Sequence, residues 1–240
     1  MANISYSAVA TRPEEIVSCT ALDAGDYPER YAEKVKVIVD GIRDGSLKEK
    51  VKQTLGLFEK GSAGNLVQSS PYRLVVLQEF LPKGKVLASM PRLRIAKEND
   101  QNFMRGFYVD GGLNLVPYNK GNEAINAIQA GKLEADLRNV GIKTEDDARL
   151  IPYHVLTLEF DGKYQSGLVF RLSEKGRDIA KQAILNTKDF KWNYSPNHGG
   201  LFRAFLGDGG DWGCGGGGLV GSGRDGGVVV ESAEGAAKNN

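Results

Sequence analysis

The sequence predicts an α+β protein: a mainly antiparallel sheet built from hairpins and packed with helices, followed by a glycine-rich C-terminal tail. Three observations carry this expectation. Apolar residues recur at helical spacing across 28–58. Strand-like runs come as consecutive pairs separated by turn residues, whereas parallel sheets alternate single strands with helices. The span Gly199–Gly227 holds 14 of the chain's 31 glycines, and glycine loses the most conformational freedom on ordering.

Taken in order, Tyr31, Val35, Ile38 and Ile42 form one helical stripe, with Pro28 suited to a first turn. Asp44-Gly45-Ser46 breaks it, and Leu47, Val51, Leu55 and Phe58 form the next. Acidic and basic residues nearly balance on the outer faces, which favours packing on a sheet over lying on a membrane. Two strands are predicted around 72–80 and 85–97 with a Pro-Lys-Gly turn between them, Pro91 marking an edge or a bulge. The strongest hairpin signal is Asp110-Gly111-Gly112. Helices are expected over 119–131, 133–141 and 144–150, the last capped by Thr144. Strands 152–160 and 164–172 around Asp161-Gly162 follow, then a helix from Ser173 to Leu185 with Ser173 as its cap. The predicted organisation is a globular domain over 1–190 and a tail over 191–240 that docks or is disordered.

Composition narrows the function classes. With 31 basic and 30 acidic residues the net charge is +1, which gives no electrostatic footprint for nucleic acid. No apolar run reaches the roughly 18 residues of a membrane-spanning helix. The N-terminus lacks a basic segment leading into an apolar one, and Cys19 and Cys214 lie far apart, so reduced thiols and a cytoplasmic location are expected.

The rare reactive residue types gather near the tail. His198 and Cys214 stand 16 positions apart and raise the possibility of a cysteine hydrolase, which requires a base to take the thiol proton and rigid support for both groups. Glycine flanks Cys214 on both sides and supplies no such support. The other histidine, His154, falls within a predicted strand. Gly207–Asp211 and Gly221–Asp225 each fit the GxGxD core of a calcium repeat, but 14 residues separate them where that repeat needs nine. Gly213–Gly218 fits GxGxxG without the strand and helix a dinucleotide loop requires. No cofactor and no metal site is therefore expected. Glycine spacers instead separate apolar units: Leu201, Phe202, Phe205 and Leu206, then Trp212, then the valines that include Val229. These residues are the candidate interaction elements. They predict a non-enzymatic binding or assembly protein whose tail docks on its own body, on a neighbouring copy in a homo-oligomer, or on a protein partner. Whether the chain is an enzyme is left open by the sequence, with Cys214 and His198 as the alternative.

Overall fold

The computed structural model describes residues 19–118, 124–188, 190, 192, 198–207, 209–215, 218–221 and 223–232. Strand β1 (Thr20–Ala21) leads into α1 (Tyr27–Asp40) and α2 (Gly45–Leu55). The first helix carries Pro28 in its first turn and buries Tyr31, Val35 and Val39 along one stripe. The second is capped by Asp44, whose carboxylate accepts from the Leu47 N–H at 2.8 Å. A short antiparallel pair, β2 (Glu59–Lys60) and β3 (Leu66–Val67), comes next.

The next stretch departs from expectation. Residues 72–80 are helical: α3 (Pro71–Leu77) runs into a single 3-10 turn. Ser70 caps it by accepting from the Arg73 N–H at 3.4 Å, and Pro71 opens it. The apolar run misleads because Tyr72 and Leu74–Leu77 are all buried, and a helix buried all round has the pattern of a buried strand. Strand β4 (Lys85–Leu87) is shorter than predicted and gives way to α4 (Met90–Asn99). Pro91 lies in the first turn of that helix, with Ser89 at its N-cap position.

The predicted hairpin at Asp110–Gly112 is absent. A single nine-residue strand, β5 (Tyr108–Val116), passes straight through it. Residues 119–123 lie outside the described residues. The remaining helical signal forms one element, α5 (Ala127–Asn139), which runs through Gly131 and stops ahead of Gly141. No helix forms at 144–150; Arg149–Ile151 is strand β6, held between neighbours on both sides. Strands β7 (Leu156–Phe160) and β8 (Leu168–Leu172) pair as expected but start later than read, because 153–155 form a 3-10 turn and 164–167 lie in the connecting turn, and Ser173 caps α6 (Glu174–Ala183) by accepting from the Gly176 N–H at 2.9 Å. Five further strands follow among the described residues: β9 (Leu185–Asn186), β10 (Gly200–Leu206), β11 (Trp212–Gly215), β12 (Gly226–Gly227) and β13 (Val229–Ser232).

The fold is α+β. The largest sheet is organised on β5, which pairs along its length with β10, and β10 carries β11 on its outer side. Across β5, β6 takes residues 113–115 and β12 takes 108–109, and β12 links on to β3 and β2. A second sheet has the order β1-β13-β4, and β7-β8 is a separate pair. Among the described residues every strand pair except β12-β5 is antiparallel. A large apolar core includes residues of α1, α2, α3 and α5, and a smaller one gathers Met90 and Leu93 of α4 with Val109, Leu206 and Val229. No helix among the described residues is long and apolar enough to cross a membrane.

Candidate functional site

The glycine-rich segment meets the rest of the chain at β5, and the Asp-Gly-Gly sequence explains how. Successive side chains of a strand point to opposite faces, so Val109, Leu113 and Leu115 belong on one face of a regular strand. Val109 instead joins the small core while Leu113 and Leu115 join the large one. The switch occurs where the β10 register shifts, with Ala204 opposite Gly112 and Phe205 opposite Asp110, so that Gly111 is the extra residue of a β-bulge. Both glycines are required there. A Cβ on Gly111 would stand 2.5 Å from Met90 Sδ, and Gly112 has φ +152° with its missing Cβ directed at the Ile151 carbonyl.

Asp110 is 3% exposed, and the bulge places it on the same face as Arg203 of β10. The guanidinium donates from Nε to Oδ1 at 2.9 Å and from Nη2 to Oδ2 at 2.6 Å, and Ser69 Oγ adds a bond at 3.3 Å. The same guanidinium donates to the Gly221 carbonyl at 2.6 Å and lies 5.2 Å from the Tyr108 ring centroid. Burial alone would lower the pKa of Arg203; the charge and hydrogen bonds of Asp110 outweigh it and raise the pKa instead.

Of the predicted interaction residues, Leu201, Phe202, Leu206 and Val229 are buried, while Phe205 and Trp212 are half-buried. Leu201 is in the large core; Leu206 and Val229 are in the small one. Phe202 is buried, and Phe205 packs edge-on against Tyr108 at 6.4 Å. Trp212 packs against the small core with the Arg94 guanidinium 5.7 Å from its ring centroid. Downstream, Gly226 accepts Tyr108 so closely that a Cβ would lie 2.7 Å from its hydroxyl. Val228 and Val230 then enter the large core while Val229 enters the small one. Residues 226–232 are thus an inner element of both sheets: β12 between β5 and β3, β13 between β1 and β4.

The same strand carries Glu231, which is 7% exposed. Its Oε1 accepts from the backbone N–H and hydroxyl of Ser89 at 3.4 and 3.3 Å, and its Oε2 lies 3.6 Å from Arg92 Nε. Sequence reasoning missed Glu231 and the Asp110–Arg203 pair. Their signal was a charged residue inside an apolar strand (Arg203 in LFRAFL, Glu231 directly after VVV), which a buried partner has to balance.

Cys214 is fully buried, and its Sγ accepts from Asn114 Nδ2 at 3.0 Å; Asn114 in turn accepts from the Thr187 hydroxyl. Burial pushes the thiol up to about 12, only partly offset by the Asn114 bond, so it stays protonated at neutral pH. His198 is exposed. His154 lies in the 3-10 turn Tyr153–Val155, where burial, reinforced by Lys175, lowers its pKa to about 4. A cleft of about 310 Å³ at the end of β5 is lined by Tyr118, Glu134, Arg138, Thr144 and Glu145 among others. Its charges pair with each other, Arg138 meeting Glu134 at 2.9 Å and Glu145 at 3.9 Å. Among the described residues no cluster of His, Cys, Asp and Glu side chains is placed to hold a metal ion. The chain matches no family model, no curated protein and no solved structure.

Proposed function

We propose that this chain is a binding or assembly protein, with the glycine-rich C-terminal segment as its interaction element and a protein, either a partner or a second copy, as what it engages. The observation that carries the reading is the seating of residues 226–232 by strand pairing in two sheets. A segment held this way is an element that a neighbouring copy can supply or receive, because backbone ladders are indifferent to which chain provides them. The near-neutral charge supports a protein partner over a nucleic acid. The two free cysteines support a reducing, cytoplasmic setting. The protonated thiol of Cys214 weighs against the hydrolase alternative, since the thiolate is the nucleophile.

Two measurements test the reading together. Light scattering across micromolar to millimolar concentration is expected to show species heavier than the 26.0 kDa chain, or a defined complex with a protein partner. Native iodoacetamide labelling is expected to modify Cys214 more slowly than a free thiol at neutral pH. A strictly monomeric protein whose Cys214 labels faster than a free thiol would overturn the proposal in favour of the enzyme.

A further inference from the structure

Three carboxylates are buried in the described fold, and they are not treated alike. Asp110 receives a bidentate guanidinium from Arg203, and Asp136 receives one from Arg171 at 2.9 and 2.8 Å. Glu231 has neither. Its Oε1 takes two long bonds from Ser89, the residue at the N-cap position of α4, and its Oε2 accepts no hydrogen bond among the described residues. Its one cation among the described residues, Arg92 of the same helix, stands 3.6 Å away. On β4 its register partner is Val86, and on the β1 side Thr20 pairs with Val230, which brings Cys19 to the end of the ladder beside it. Arg92 and the Cys19 thiol are therefore the ionisable groups facing it among the described residues.

The position of this under-compensated carboxyl matters as much as its chemistry. It sits at the C-terminal end of the arm 226–232, one residue beyond the three valines that enter both cores. The opposite end of the arm is tied by neutral backbone pairing to Tyr108, Val109 and Val67. We propose that Glu231 is a proton-operated latch: its protonated carboxyl holds the C-terminal arm seated in both sheets, and its ionisation weakens that seat while the rest of the fold stands.

The direction follows from linkage. Burial pushes the Glu231 carboxyl up from its ordinary 4.5 to about 7, against the opposing pull of Arg92 and Ser89. Burial, with the Glu231 charge adding to it, pushes Cys19 up to about 12, so that thiol holds its proton throughout the relevant range. An acid whose pKa is higher when seated than when released binds more protons in the seated state. Seating is then strongest at acidic pH, weakens as pH rises from 4.5 towards 7, and levels off beyond that. The two values set a fall on the order of tens-fold between pH 5 and pH 8.

Hydrogen exchange of the full-length protein, corrected for intrinsic rates, tests this at those two pH values. Protection of the amides of Val228–Ser232 and of Leu22 and Ala88, which donate to the Val228 and Val229 carbonyls, is expected to fall by that factor. Amides of the separate β7-β8 pair serve as the reference and are expected to hold. In Glu231→Gln, which keeps the side-chain shape without the charge, the arm's protection is expected to be independent of pH and to match the acidic wild-type value. Flat wild-type protection, an equal fall in the β7-β8 amides, or an unchanged pH dependence in Glu231→Gln would each overturn the latch. None of these readouts depends on what the arm binds, so the latch and the assembly proposal can fail separately.

Discussion

At the scale of single residues, the decisive pair is Asp110 with Arg203, because each is tolerable inside the sheet only through the other. Removing one partner of a buried pair leaves an uncompensated charge, which typically costs about 3–5 kcal/mol, whereas replacing both by apolar groups can be nearly neutral. Asp110→Asn is accordingly expected to lower unfolding free energy by that amount in urea titration, and Asp110→Leu combined with Arg203→Met to recover much of it. A single-variant cost below about 1 kcal/mol would mean the pair is solvated in solution. The sequence concealed this pair, since Asp110 stood before two glycines and a turn explains Asp-Gly-Gly as well as a bulge does. The choice between them was made by Met90, Ile151 and Arg203, none of which is near in sequence.

At the scale of elements, two residues read as helix caps had opposite outcomes. Ser173 and Thr144 looked equivalent as caps. Ser173 accepts from Gly176 N–H, while the Thr144 hydroxyl is buried without a hydrogen-bond partner among the described residues and no helix follows it. Ser173→Ala is therefore expected to cost about 1 kcal/mol. Thr144→Val, which removes an unsatisfied hydroxyl at constant shape, is expected to be neutral or stabilising in the same thermal melts. Equal losses for both variants would contradict this assignment. Helices α1, α2 and α6 were legible because their signals are local: an apolar stripe behind Pro28 for α1, and the side-chain caps Asp44 and Ser173 for α2 and α6. Helix α3 was not, because burial on every side erased its period.

At the scale of the molecule, the arm 226–232 contributes to both cores and both larger sheets at once. Both tryptophans, Trp192 and Trp212, pack against the small core, so their fluorescence reports on it while far-UV circular dichroism reports on the whole. For the full chain the two urea transitions are expected to coincide. Truncation before Gly226 strips β1 and β4 of their shared partner, and is expected to lower both midpoints and to separate the fluorescence transition from the dichroic one. Coincident and unshifted transitions in the truncated chain would show the arm to be dispensable.

What the sequence determined by itself was local: the α+β class, the first two helices, the β7-β8 pair and the capped helix after it. Each of these is written in residues within a few positions of one another, where spacing, caps and turn chemistry act directly. What only the tertiary structure decided was the use of the glycines and of the charges among them. Gly111 and Gly226 are needed because distant side chains crowd them, and Arg203 and Glu231 are interior because Asp110, Ser89 and Arg92 reach them across the fold. Those partners lie 93 to 142 positions away for Asp110–Arg203 and Ser89–Glu231, a separation at which residue order carries no signal and only packing does.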